Sequence, residues 1–495
     1  ALAGMHDVSL AMVDPIDPDR FRLLPPVRRH AALLLAADDN REAALRGMTD
    51  WCLATAAELD DAAGGPRQPE AVRRFTADLP TLRTALRRAL DDGRTADAAR
   101  LFERLALCWA SSPAAPEAAH WGAELLAHAD DLPATDRVRL QVIVMQTADT
   151  FEKTASHLAE AERALRAADA AGDPVAGAGA RLVTAIGLGW HGEQLDRADE
   201  LIAQARDLAQ ASGEGFWAAE ALACQGLLAL RRLDLATGIT RLEEALAEHQ
   251  AVGTPVGVAR TLLFLGFARR WAGDLDGARR AFAEARRKLQ DGRVTTWLRA
   301  TIGLGQSELA AGDLDAAEAS FRAAHARAAD VGDQRAGRAA LAGLAASARC
   351  RHDDDRAVGL LLTAARHALS GDDGADAASA ATGLADVLGD QGRHDLAALL
   401  LGAASLVPDE VGIRLDGASA VDAAELARRL AIDLGADELV RLQADGRMLG
   451  LEAALAQVES SLATSARSED PPPGPAAGDR HVGPGAPGGA RSAPR

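Results

Sequence analysis

Tyrosine is missing altogether from this 495-residue sequence, and the aromatics together make up 3 % of it. A sheet-rich core leans on aromatic and β-branched side chains, so this scarcity argues against a sandwich or a barrel. Cysteine occurs four times, at Cys52, Cys108, Cys224 and Cys350, with no CxxC and no Cys/His ligand spacing. That excludes a fold built on disulfides and a thiolate zinc centre. Each of the four sits in an apolar helical pattern and is expected to be a buried structural thiol. No apolar run is long enough to cross a bilayer, and no charged-then-apolar leader opens the chain, so a soluble cytoplasmic protein is expected. The phosphate loop GxxxxGK[ST], the nucleophile elbow GxSxG and the zinc pair HExxH are all absent. No catalytic site, cofactor site or metal site is therefore expected. Lysine is nearly absent as well: Lys153 and Lys288 stand alone among 54 basic residues, a skew towards Arg that suggests a G+C-rich bacterial genome. A net charge of −18 disfavours direct contact with nucleic acid or an anionic membrane.

What is abundant is alanine and leucine, in a repeat. The segments AGDLDGARRAFAEA and AGDLDAAEASFRAA place Gly273 and Gly312 39 residues apart. The same frame, a turn followed by a large apolar residue and then a small one, recurs along the chain. Its last Ala falls at Ala205, Ala245, Ala285, Ala324, Ala364 and Ala404, and its large residue at Ile202, Leu242, Phe282, Phe321, Leu361 and Leu401. Alternating small and large side chains on one face of every second helix is what stacked helix pairs need in order to interdigitate. Gly273 and Gly312 suit the left-handed end of a helix, and Asp274, Asp276, Asp313 and Asp315 suit the positive start of the next. The run Asp353, Asp354, Asp355 falls at the same place in its repeat and reads as a helix start, not a metal site.

Leu265-Gly266, Ala278, Phe282 and Ala285 resemble the tetratricopeptide repeat, as do Leu304-Gly305, Ala317, Phe321 and Ala324. Other copies put Ile186, Ala345 or Ala385 in the Gly position, and Arg269 and Glu308 replace the family's Tyr. The resemblance implies an all-α fold: a right-handed superhelical solenoid of tetratricopeptide-like helix pairs of about 40 residues each, against 34 in the family.

The two ends differ. Ser9 to Val13 and Phe21 to Leu24 read as short strands flanking a turn from Asp14 to Asp19, followed by a helix starting near Pro26. This segment, with RFRLLPPVRRHA from Arg20 to Ala31, resembles the end of the winged helix in bacterial signal-transduction ATPases with numerous domains, of the antibiotic-regulatory type. Pro25 and His30 depart from that pattern. FTADLPTLRTALRRALDDG (Phe75 to Gly93), LAALLLGAASLVPDEVGIRL (Leu396 to Leu415) and GRMLGLEAAL (Gly446 to Leu455) follow in the same order. The resemblance implies a winged-helix remnant over 1–31, a helical linker region over 32–136, repeats over 137–407, a helical cap over 408–464 and a disordered Pro/Gly-rich tail over 465–495. It also implies that the chain is the sensor arm of a transcriptional regulator whose ATPase is not in this sequence. The alternative is a stand-alone scaffold that binds acidic peptides.

Between Arg260 and Arg299 ten basic residues face four acidic ones. In the tetratricopeptide family the first helix of each pair lines the groove, and that rule turns Arg231, Arg260, Phe267, Arg270, Trp271, Arg299 and Gln306 inward. Guanidinium groups grip carboxylates or phosphates in pairs and aromatics add apolar contact. The expected partner is a protein or peptide, acidic in character, or an anionic small-molecule effector. The competing reading pairs these Arg residues with neighbouring acids. Arg279, Arg280, Arg286, Arg287 and Lys288 fall on the second helix and are expected on a solvated outer face. His191, beside Trp190, reads as a helix-end packing or capping residue.

Overall fold

The computed structural model describes residues 10–13, 21–112, 114–128, 132–147, 155–191, 194–289, 294–371, 373–406 and 423–468. Among them are one small hairpin and 23 helices. The chain forms two compact units, divided at Leu360 and Leu361 within one helix.

In the first unit β1 (Ala11–Val13) pairs antiparallel with β2 (Phe21–Leu23), Met12 facing Arg22, and α1 (Pro25–Ala36) follows. The hairpin and the helix stand where the sequence placed them, with a proline in the first turn of the helix, where a missing N–H is harmless. The expected turn from Asp14 to Asp19 lies outside the described residues. Six helices come next: α2 (Arg41–Ala63), α3 (Gln68–Asp91), α4 (Thr95–Arg104), α5 (Ala106–Ser111), α6 (Ala115–Ala127) and α7 (Ala134–Thr147). The FTADLPTLRTALRRALDDG segment forms most of α3 and the turn after it. Its Phe75, Leu79, Leu82 and Leu86 are buried at helical spacing, and Phe75 meets Trp109 edge-on at 4.9 Å.

After α8 (Ala155–Ala171) the helix pairs begin: α9 (Pro174–His191) with α10 (Leu195–Ala211), α11 (Gly215–Arg231) with α12 (Leu235–Val252), and α13 (Pro255–Trp271) with α14 (Leu275–Lys288). They continue with α15 (Val294–Ala310) and α16 (Leu314–Val331), then α17 (Gln334–Cys350) and α18 (Asp354–Ser370). From α9 to α17 each helix packs on the next. Successive first helices (α9, α11, α13, α15, α17) also touch one another, while successive second helices make no comparable contact among the described residues. The first helices therefore form the tighter layer. Among the described residues the extensive helix contacts of each repeat are with its neighbours in the array, as in a solenoid.

The small-large-small register is real packing. Ile202, Leu242, Phe282, Phe321, Leu361 and Leu401 are all buried, as are the six alanines three residues beyond them. The Phe282 ring fills the space left by two missing side chains. A Cβ on Gly266, in its own repeat, or on Gly303, in the next, would lie 2.6 Å from the ring. The Leu-Gly pair thus exists to admit the aromatic of the second helix.

The turns within the pairs put residues 194, 233, 273, 312, 352 and 392 at positive φ, and only the third, fourth and last are Gly. Asp234, Asp274 and Asp313 each accept a hydrogen bond from the backbone N–H three residues on, and Asp353 accepts one from the N–H of Arg356. Helix capping is the role of the Asp353 run. Cys52, Cys108 and Cys224 are buried, but Cys350 is exposed, which corrects the expectation for that thiol. It is the last residue of α17, where the chain turns into solvent. Burial pushes the Cys52 thiol up to about 11 and the Cys108 thiol up to about 12, with nearby Asp78 and Asp60 adding to the respective shifts.

The second unit contains α19 (Gly374–Asp390), α20 (His394–Ala404), α21 (Ala423–Leu434), α22 (Ala436–Leu449) and α23 (Leu451–Ser468). Here the LLLGAAS and GRMLGL segments meet, because α20 and α22 cross backbone to backbone. A Cβ on Gly402 would lie 2.2 Å from the carbonyl oxygen of Gln443, and one on Gly446 would lie 2.0 Å from that of Leu399. Arg429 ties α21 to α19 through Asp386 and Asp390. The last helix runs to Ser468, past the expected boundary at 464, and the rest of the expected tail lies outside the described residues.

Candidate functional site

Residues one repeat apart occupy equivalent places on the first helices, so Glu220, Arg260 and Arg299 form one row and Arg231 and Trp271 another. The first row is already partly neutralised. Arg260 is ion-paired with Glu220, whose other oxygen lies 3.1 Å from Nε2 of His249. His249 and Thr254 are fully buried, with Nδ1 of the ring 3.0 Å from the Thr254 hydroxyl. Burial holds the His249 pKa down at about 4 against an opposing pull from Glu248. A neutral imidazole, shielded from solvent and packed against Gly257, is a structural knot between α11, α12 and α13. For Arg260 the pairing reading prevails over a free groove cation.

The second row is different. Arg231 is half-buried and donates from Nε to the carbonyl oxygen of Gly189 at 3.0 Å. It shares with Trp271 the lining of a partly open cavity of about 40 Å³, whose other walls include Ile186, Ile202, Cys224 and Leu227. That space holds about three water-sized spheres, enough for a short aliphatic side chain. Trp271 stacks on Phe267 with ring centroids 6.2 Å apart. Phe267 itself is 1 % exposed and edge-on to Phe282. It lies in the core and shapes the groove by supporting Trp271, with no surface of its own to offer a ligand.

Arg270, next to Trp271, is half-buried, and its Nε is shielded from solvent with no hydrogen-bond partner. Burial lowers the pKa of both Arg270 and Arg231 from the ordinary guanidinium value. Arg299 and Gln306 follow one repeat on, half-buried on α15. The basic residues of α14 behave as an outer face should. Arg279 lies near Asp276 and Asp313, while Arg287 and Lys288 lie near Glu284. The side chain of His191 lies outside the described residues.

Sequence reasoning missed Glu220, although the 40-residue step from Arg260 leads straight to it. It also missed the apolar lining from α9 and α10, which belongs to no charged or aromatic pattern. What the geometry offers is an apolar pocket with the Arg231 guanidinium in its lining and, among the described lining residues, no carboxylate or histidine.

No family model and no curated protein matches the chain. Similar solved structures include a signal-transduction ATPase with numerous domains carrying a tetratricopeptide repeat sensor, from Pyrococcus horikoshii, at 13 % identity and a TM-score of 0.49. The match covers 82 % of this chain and 57 % of that one, so the chain spans little more than half of that protein's length. A Rap protein complexed with competence and sporulation factor matches at 12 % identity and a TM-score of 0.46, over 74 % of this chain and 99 % of that one. Yeast Tom70 matches at 11 % identity and a TM-score of 0.34, over 83 % and 99 %.

Proposed function

We propose that this chain is a non-catalytic sensor and scaffold region of a bacterial transcriptional regulator, of the signal-transduction ATPase type. It binds a protein or peptide segment bearing carboxylates, or an anionic effector, in the groove of α11, α13 and α15. The observation that carries the reading is Arg270. A guanidinium withdrawn from water with its Nε unbonded costs stability, and an incoming carboxylate offsets that cost with charge-assisted, paired hydrogen bonds. Trp271, its neighbour along the chain, lines an apolar pocket together with Arg231. The regulator setting is supported by the SLAMV, RFRLLPPVRRHA, LLLGAAS and GRMLGLEAAL segments and by the hairpin and helix at residues 11–36.

The test uses a fluorescein-labelled peptide of alternating Asp and Leu, with its Asn counterpart as the neutral control. Fluorescence anisotropy should show the acidic peptide binding, with affinity falling about tenfold or more in Arg270→Met, the loss of about 1.4 kcal/mol expected for one charged hydrogen-bonded contact. Equal affinity for the acidic and neutral peptides, or an unaffected Arg270→Met variant, would remove the groove assignment.

A further inference from the structure

The turn between α2 and α3 reaches across to the repeats. Gln68 at the start of α3 is 2 % exposed and makes two hydrogen bonds with its side chain. Its Nε2 donates to the Ala63 carbonyl at 2.9 Å, and its Oε1 accepts from the backbone N–H of Val256 at 3.0 Å, 188 residues away. Val256 lies in the first turn of α13, whose N–H groups have no partners within the helix. Thr254, at the cap position of α13, gives that helix no side-chain bond, because its hydroxyl is turned to His249. The side chain of Gln68 takes over the capping. Pro66 rests against Gly253, where a Cβ would lie 2.6 Å from the proline ring.

The helices behind this turn have a core of their own. Phe75, Phe102, Trp109 and their neighbours form one apolar cluster that ends at Leu140 of α7, while Val138 and Val142 of the same helix begin the cluster of the first repeats. The N-terminal helices thus join the repeats through an apolar seam at α7 and meet them again at the Gln68 turn, where Gln68 supplies a buried hydrogen bond and Pro66 a ring contact. A joint of that kind opens at lower cost than a core does.

We infer that the α2–α3 turn is a releasable clasp on α13, fastened by Gln68 and Pro66 and able to open while the repeats stay folded. Release frees the start of α13, the helix whose far end carries Arg270 and Trp271. The clasp holds whether or not the groove binds an acidic ligand.

Hydrogen exchange read by mass spectrometry on the full chain tests this with two variants, Gln68→Met, which keeps the length but loses both hydrogen bonds, and Pro66→Ala, which removes the ring. In each, exchange in α2, α3 and the first turn of α13 should speed up together, by about tenfold in Gln68→Met, the effect of losing roughly one net hydrogen bond. Exchange in α14, α15 and α16 should stay as in the unaltered chain. Unchanged exchange in α2 and α3 in both variants overturns the clasp, and so does acceleration that spreads through α14 to α16, since the contact would then belong to a common core.

Discussion

Replacing Phe282 with Ala tests the packing logic of the whole array. The ring is fully buried, lies edge-on to Phe267 with centroids 5.0 Å apart and occupies the space opened by Gly266 and Gly303. Deleting such a side chain costs about 3–5 kcal/mol, from lost transfer energy and the cavity left behind. The converse change, Gly266→Ala, drives a methyl to 2.6 Å from the ring and should cost about 1–3 kcal/mol through overpacking. The two effects share one space. In the double variant the new methyl meets no ring and fills part of the hole, so its loss should be no greater than that of Phe282→Ala alone. Guanidinium unfolding of the four proteins, followed by circular dichroism and fitted with nearest-neighbour coupling between repeats, gives the cycle. Losses that add to within about 0.5 kcal/mol would mean that Gly266 and Phe282 do not meet, and the repeat register would fall with them.

Arg270→Met should leave the protein as stable or raise its stability by about 1 kcal/mol, since a desolvated and incompletely bonded charge is removed; a thermal melt that drops by several degrees would show that Arg270 has a structural partner. Leu233 is 73 % exposed at φ 63° in a turn where other repeats use Gly. The left-handed backbone costs a non-Gly residue roughly 1–2 kcal/mol; Gly removes that cost but gives back part of the gain through its looser unfolded chain, so Leu233→Gly should stabilise by about 0.5–1 kcal/mol, and a lower melting temperature would count against the turn as described. The pKa of His249 falls on folding, from 6.5 to about 4. Between those values the unfolded chain holds the extra proton, so the stability this neutral ring allows is complete above pH 6.5 and is lost as pH falls towards 4. At about 1.4 kcal/mol per unit the loss reaches roughly 3 kcal/mol. Asp60, raised to about 6 chiefly by burial, pulls the other way in the same window, so the His249 share is read as the difference between the unaltered chain and His249→Gln across the pH range, and a flat difference would contradict the buried neutral ring.

The sequence by itself determined the repeat and its register. A step of 39 or 40 residues with one large residue between small ones leaves a single way to stack helix pairs, because any slip would set Phe282 and Phe321 against side chains instead of glycines. Local signals also sufficed for the turns and caps at Asp274, Asp313 and Asp353, and for the hairpin before α1. The site was legible only in outline. Helical register turned Arg260, Phe267 and Arg270 towards one face alike, but burial separated them. Phe267 went into the core, Arg260 went to Glu220 one repeat back, and Arg270 was left without a bond at Nε. Pairings between positions 40 or 188 residues apart depend on how closely helices approach, and that distance is set by the packing of every residue between them. The cavity beside Trp271, the hold of Gln68 on Val256 and the meeting of Gly402 with Gly446 were therefore decided by the tertiary structure, where chain segments that carry no mark of each other in sequence come within a hydrogen bond or a van der Waals radius.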